Sequence, residues 1–452
     1  MLNSRCKRFH MSTVKLFMNV KSAALGALVY VLVSFGGVAQ AQQDTEGQSK
    51  QKAVRIESIG QKLIKDFEAL AEFFEAENYA EATVILDKIA ATPELNNIEN
   101  AYVANYRGNI CFSRDDLNCA IREFKKILVT PDGLPPAFYN QMFYVVAQVY
   151  FSQEDYRNAL DYAQQWFQTQ EDPPADAYML VGQAHYMLQD YDAALPNVQK
   201  GIQKYVELGS VPKEGWLNLL SSIYRQKDDY PNMLPVLKQL VEHYPKKTYL
   251  LAVAGIYNEL EEQPKMSALY QGMYDHGILV NESELVTLAS LLLSQDSYYK
   301  AADILKKGFD DGVLKKDLKN YRLYSQALYL AKEYETAIAP LEQAAKLAPD
   351  GKIYIQLGQS LMSLGRWAEA ETAIKQGIDK GKLDNLGRAV LALGSAQFEQ
   401  KKYDTAKATF NSAVKFDGMS KDANNWVKYI EAEVYRIKEL EKPIVISTDV
   451  EV

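Results

Sequence analysis

Residues 357–377, LGQSLMSLGRWAEAETAIKQG, and residues 393–413, LGSAQFEQKKYDTAKATFNSA, are two copies of one pattern. The first carries Leu357-Gly358, Leu361, Trp367, Ala370, Ile374 and Gly377; the second carries Leu393-Gly394, Phe398, Tyr403, Ala406, Phe410 and Ala413. Spacings of three and four residues place each apolar set on one face of a helix. Two such helices in a unit of about 36 residues, repeated along the chain, predict a stack of helical hairpins.

The small residue that opens the second helix recurs ten times: Ala82, Ala120, Ala159, Ala194, Met233, Met266, Ala301, Ala337, Ala370 and Ala406. An aromatic or Leu stands three residues before it in nine copies, and Gln263 breaks the rule in the sixth. Gly108, Ala147, Gly182, Ser221, Ala254, Ala289, Gly358 and Gly394 occupy the matching place on the first helix. Small side chains at both places let two antiparallel helices approach closely. Asn78, Asp155, Asp190 and Asp229 precede second helices, where they can satisfy free amides.

Over residues 63–420 this resembles the tetratricopeptide repeat family, whose 34-residue unit has Leu-Gly on helix A and Ala on helix B before a closing Pro. Pro245 and Pro349 match that Pro; the two Met at the small position and the longer units depart from it. The resemblance implies an all-α superhelix of about ten repeats that holds other molecules against its helix A face. Residues 421–441 read as an amphipathic capping helix, with Trp426, Ile430, Val434 and Ile437 on one stripe. Gln48–Asp66 reads as a charged helical lead-in, giving a lead-in segment over residues 42–62. The tail from residue 442, strand-like over Ile444–Val452, is either disordered or a segment that adds to a partner's sheet.

At the N-terminus, Lys15 and Lys21 precede the apolar run Ala23–Val33, and Ala39-Gln40-Ala41 comes after it. This layout predicts a signal peptide over residues 1–41, cleaved after Ala41; the alternative is an uncleaved membrane anchor. The expected compartment is the periplasm, with no integral span in the mature chain. Cleavage removes five basic residues and no acidic one, taking the formal net charge from −8 to −13. So acidic a chain argues against nucleic acid as a partner. Cys111 and Cys119 then remain, facing one another across a hairpin turn. In an oxidising compartment they suit a disulfide; the alternative is two buried thiols.

Catalysis finds no constellation. His185, His243 and His276 are scattered, and no phosphate loop, nucleophile elbow or calcium loop is present. The expectation is a non-enzymatic protein without metal or cofactor. The resemblance implies binding on helix A, at repeat positions 2, 5, 9, 12 and 13. Position 9 is largely Asn, Gln or Ser, including Asn109, Gln148, Gln183, Ser222, Gln326 and Gln359. Amides can donate to and accept from an extended peptide, although any solvated face is polar. Asn105, Tyr144, Asn218 and Arg322 stand at position 5, and Phe112, Phe151, Tyr186, Tyr329 and Phe398 could form pockets at position 12. Lys319, Arg322, Lys352 and Arg388 make a basic stripe over the last three repeats, suited to a carboxylate-bearing segment or else paired with nearby acids.

The segment Tyr244-Pro245-Lys246-Lys247-Thr248-Tyr249, in an exported Tyr-rich array, is similar to periplasmic repeat proteins encoded alongside TonB energy-transduction systems in marine gamma-proteobacteria. That resemblance implies a scaffold accessory to TonB-dependent outer-membrane transport, binding TonB or its inner-membrane motor proteins. An envelope-assembly or secretion adaptor and a small-ligand or glycan-binding protein are the alternatives.

Overall fold

The computed structural model describes residues 56–441, and their regular structure is entirely helical. Ten hairpins succeed one another. They are α1 (Ile64–Glu75) with α2 (Tyr79–Ala90), α3 (Asn97–Ser113) with α4 (Leu117–Val129), α5 (Pro136–Ser152) with α6 (Tyr156–Phe167), α7 (Ala175–Met187) with α8 (Tyr191–Glu207) and α9 (Glu214–Gln226) with α10 (Tyr230–His243). Then come α11 (Lys247–Glu259) with α12 (Gln263–Asp275), α13 (Glu282–Ser294) with α14 (Tyr298–Asp310), α15 (Leu318–Leu330) with α16 (Tyr334–Leu347), α17 (Lys352–Ser363) with α18 (Trp367–Lys380) and α19 (Leu386–Glu399) with α20 (Tyr403–Ala413). The longer α21 (Ser420–Leu440) closes the series. The fold is thus a helical-hairpin solenoid with a C-terminal helix. It divides into two compact units, one ending at Ile256 and the other beginning at Tyr257, inside α11.

Every hairpin turns by the same device. Two residues before helix B the backbone adopts a positive φ, between 52° and 71°, at Glu77, Asp115, Glu154, Gln189, Asp228, Glu261, Asp296, Lys332, Gly365 and Lys401. The next residue's N–H closes onto a carbonyl five residues back, as Asn78 does on Phe73 and Lys402 on Gln397. This left-handed residue satisfies carbonyls left open at the end of helix A. In the first unit the closing residue is Asn78, Asp116, Asp155, Asp190 or Asp229, and its side chain also accepts from the third amide of helix B. In the second unit Glu262, Ser297, Glu333, Arg366 and Lys402 hold that place without a side-chain cap.

Inside each hairpin the small residues meet as their spacing predicts. In the first unit a Cβ on Gly108 would lie 2.5 Å from the Phe124 ring, and one on Gly182 would lie 2.6 Å from Val198 Cγ2. In the second, Gly394 faces Phe410 at 2.8 Å and Gly358 faces Ile374. Ala82, Ala120, Ala194, Ala301, Ala337, Ala370 and Ala406 are wholly buried. The sixth copy departs: Met266 is only half-buried, and Ser267 takes the inward place. A shorter side chain fits where helices approach, so the smaller neighbour occupies the crossing. At the end of the second unit, Trp426 of α21 stacks on Phe410 with ring centroids 5.1 Å apart, and Ile430 is buried beneath it.

The helical lead-in is corrected over its described part. Residues 56–60 form no helix, and the first helix starts at Ile64. The Glu57 N–H donates to the Gly133 carbonyl at 2.9 Å, and Glu57 Oε2 accepts from the Asn97 N–H at 2.8 Å. Asn96 Nδ2 donates to the Ser58 carbonyl at 2.9 Å, and the Gly60 N–H donates to Glu99 Oε1 at 2.8 Å. A helix through Glu57 and Gly60 would withdraw these partners from the loops before α3 and α5. The signal-peptide reading, most of the lead-in and the tail lie outside the described residues.

Candidate binding surface

The residues expected to bind lie on α3, α5, α7, α9, α15, α17 and α19, and hydrogen bonding sorts them into committed and uncommitted groups. In the first unit most are committed. Asn105 is 6% exposed, and Asn109 Nδ2 donates to its carbonyl at 2.8 Å. Tyr144 is 8% exposed and stacks on Trp166 with centroids 4.5 Å apart. Burial pushes the Tyr144 hydroxyl well above its ordinary pKa, and a hydrogen bond with Gln148 offsets part of that rise. Asn218 Nδ2 donates to the Tyr249 hydroxyl at 2.9 Å, and that hydroxyl donates to Glu214. Lys246 also pairs with Glu214, and together the two donors hold the carboxyl below its ordinary pKa. Ser222 bonds the Tyr186 hydroxyl. Burial corrects the expectation that Asn105 and Tyr144 line an open face. Asn109 and Gln148 bond within their own helices, and Asn218 and Ser222 bond residues of other helices. Gln183 alone of the first-unit amides named for binding has no hydrogen bond among the described residues.

The second unit differs. Lys319, Arg322, Gln326, Gln359 and Arg388 are exposed, and their side chains make no hydrogen bond or ion pair among the described residues. Lys352 is the exception in the basic stripe, because it pairs with Asp384. Lys316, beside Lys319, is a further exposed cation that the repeat register does not mark, because it precedes the helix.

Most of the position 12 aromatics are also spent within the fold. Phe151 meets Tyr156, Tyr186 meets Tyr191, Tyr329 meets Tyr334 and Phe398 meets Tyr403, with centroids 5.3–5.6 Å apart. Each pair bridges the A–B turn at a spacing of five residues, so these rings clamp turns. A groove that the sequence pattern does not reveal lies against the first two hairpins. It measures about 280 Å³ and is lined mainly by Ile59, Ile64, Phe67, Ala71, Tyr102 and Tyr106.

Cys111 and Cys119 form a disulfide across the α3–α4 turn, with Cα atoms 5.6 Å apart. The described residues contain no cluster of three metal-ligating side chains and no helix long and apolar enough to cross a membrane.

The sequence model of the tetratricopeptide repeat matches residues 144–204 and 355–420. No curated protein sequence matches the chain. Among solved structures, it is similar to the TPR2AB-domain:pHSP90 complex of yeast Sti1, at 13% identity and a TM-score of 0.26 over 66% of this chain and 98% of that one. A tetratricopeptide repeat protein from Parabacteroides merdae gives 16% identity and a TM-score of 0.29 over 57% and 98%. YrrB, described as a TPR protein with an unusual peptide-binding site, gives 16% and 0.32 over 40% and 86%. The two matched stretches are tetratricopeptide repeats, and the other hairpins turn in the same way.

Proposed function

We propose that this chain is a periplasmic protein-binding scaffold, accessory to TonB-dependent outer-membrane transport through contacts with TonB or its motor proteins. The observation that carries the binding role is the row of uncommitted polar side chains on helix A, namely Gln183 in the first unit and Lys319, Arg322, Gln326, Gln359 and Arg388 in the second. Free amides offer both a donor and an acceptor to a passing backbone. Repeat arrays act as such scaffolds, and nothing in the scaffold role requires catalysis. The export reading is supported by the Ala39-Gln40-Ala41 site and by a cysteine pair suited to an oxidising compartment. The TonB assignment rests on the likeness around residues 244–249.

Photo-crosslinking in cells from residues 183 and 326, with identification of the captured proteins, tests this reading. Capture of TonB or a motor subunit is the expected result. Capture of assembly factors or cell-wall enzymes moves the protein to the envelope adaptors, and capture of nothing from either site removes the scaffold role.

A further inference from the structure

From the charge left unpaired on α15 we infer a docking stripe for an acidic, extended protein segment; this rests on the scaffold reading and names the chemistry of its partner. Residues 315–322, KKDLKNYR, gather four cations around two acids that are already engaged. Glu282 Oε1 accepts from Asn320 Nδ2 at 2.9 Å, and Glu282 Oε2 pairs with Lys315 at 3.4 Å. Asp317 caps α15, accepting from the Asn320 N–H at 2.9 Å. Asn320 itself is wholly buried. Lys316, Lys319 and Arg322 are therefore left exposed and without an ion pair among the described residues.

Helical spacing aligns the free groups of α15. Lys319, Arg322, Gln326 and Leu330 stand at i, i+3, i+7 and i+11 on one face, and all four are exposed. The stripe thus presents two cations, a free amide and an apolar end along one helix. An extended segment with carboxylate side chains at one end and an apolar residue at the other complements it. A sheet of lipid phosphates does not use the amide or the leucine. The chain's net charge of −8 sharpens the contrast, since like-charged segments are repelled elsewhere on its surface.

The test is fluorescence anisotropy on the purified chain with a short labelled peptide of Glu, Ser and Leu, beside its Gln-for-Glu counterpart. The acidic peptide should bind, more weakly as salt rises. Lys319→Glu/Arg322→Glu should weaken binding at least about tenfold. Lys65→Glu/Lys200→Glu, an equal charge change at two exposed lysines of the other unit, should leave it within about twofold. Equal binding of the neutral peptide, or equal loss with both variants, overturns the inference. So does absence of peptide binding with capture of phosphatidylglycerol vesicles that the α15 variant abolishes. A protein captured at residue 326 whose recovery survives the α15 reversal overturns the stripe and leaves the scaffold standing. Capture of nothing removes the scaffold itself.

Discussion

Replacing Glu371 by Gln should remove an acid-sensitive tie from the second unit. Glu371, on α18, is only 6% exposed. Burial alone would raise its pKa, but four donors outweigh it and bring it down to about 2. Lys375 Nζ reaches Oε1 at 2.7 Å and Gln397 Nε2 reaches the same atom at 3.1 Å. Lys402 Nζ and Gln400 Nε2 reach Oε2 at 2.8 and 2.9 Å. One carboxylate thereby joins α18, α19 and the start of α20. A free glutamate titrates at 4.5, so the gap corresponds to about 3 kcal/mol of folding free energy when ionised. The folded-state pKa is depressed, so this contribution is complete above about pH 5 and fades as pH falls towards 2. By pH 3 about 2 of the 3 kcal/mol is gone. Urea unfolding of both proteins, followed by tryptophan fluorescence between pH 7 and pH 3, gives the difference at each pH. Trp367 lies one turn from Glu371 and reports on this unit. Glu371→Gln should be less stable by about 2–3 kcal/mol at pH 7, and the difference should narrow below pH 4. A difference that stays constant over this range would refute the assignment of the tie to the ionised carboxylate.

The hairpins themselves support three further expected outcomes. Loss of the Cys111–Cys119 bridge in Cys111→Ser/Cys119→Ser should lower the stability of the first unit by about 2.5 kcal/mol, read by urea unfolding, because the bridge closes a short loop. Glu333→Asp should raise stability by about 0.5–1 kcal/mol, since the shorter acid can cap α16 as Asp229 caps α10, and the thermal midpoint checks it. Gly358→Ala should cost about 1–3 kcal/mol by driving a methyl into Ile374, whereas Gly255→Ala, facing open space in α11, should add about 0.5–1 kcal/mol. Calorimetry of the two glycine variants should therefore move in opposite directions.

The fold is readable because its determinants recur at fixed separations. Ala82 through Ala406 mark helix B, and Gly108, Gly182, Gly358 and Gly394 mark the crossing, whatever lies between. The hairpin turn is only half readable. Its left-handed residue is Gly in just one of ten copies, Gly365, and is otherwise Glu, Asp, Gln or Lys. Composition therefore hides a conformation that the hydrogen bonds of Asn78 or Lys402 make plain. The irregular run before α1 defeats a local reading for a related reason. Its charged residues look like a helix surface, yet Glu57 bonds Asn97 forty residues away.

The binding face is the least legible part, because whether an amide is free depends on what it meets and not on what it is. Gln148 and Gln183 occupy the same repeat position, but the first meets a buried tyrosine hydroxyl and the second meets none. The partners that consume this face stand at irregular separations: Tyr249 lies 31 residues after Asn218, and Tyr186 lies 36 residues before Ser222. No periodic reading can assign such pairs. In the second unit the same positions face fewer aromatic hydroxyls, and Asp384 reaches only Lys352. The free cations and amides therefore accumulate there. The asymmetry between two units built from one repeat is what makes α15 the place to look for a partner.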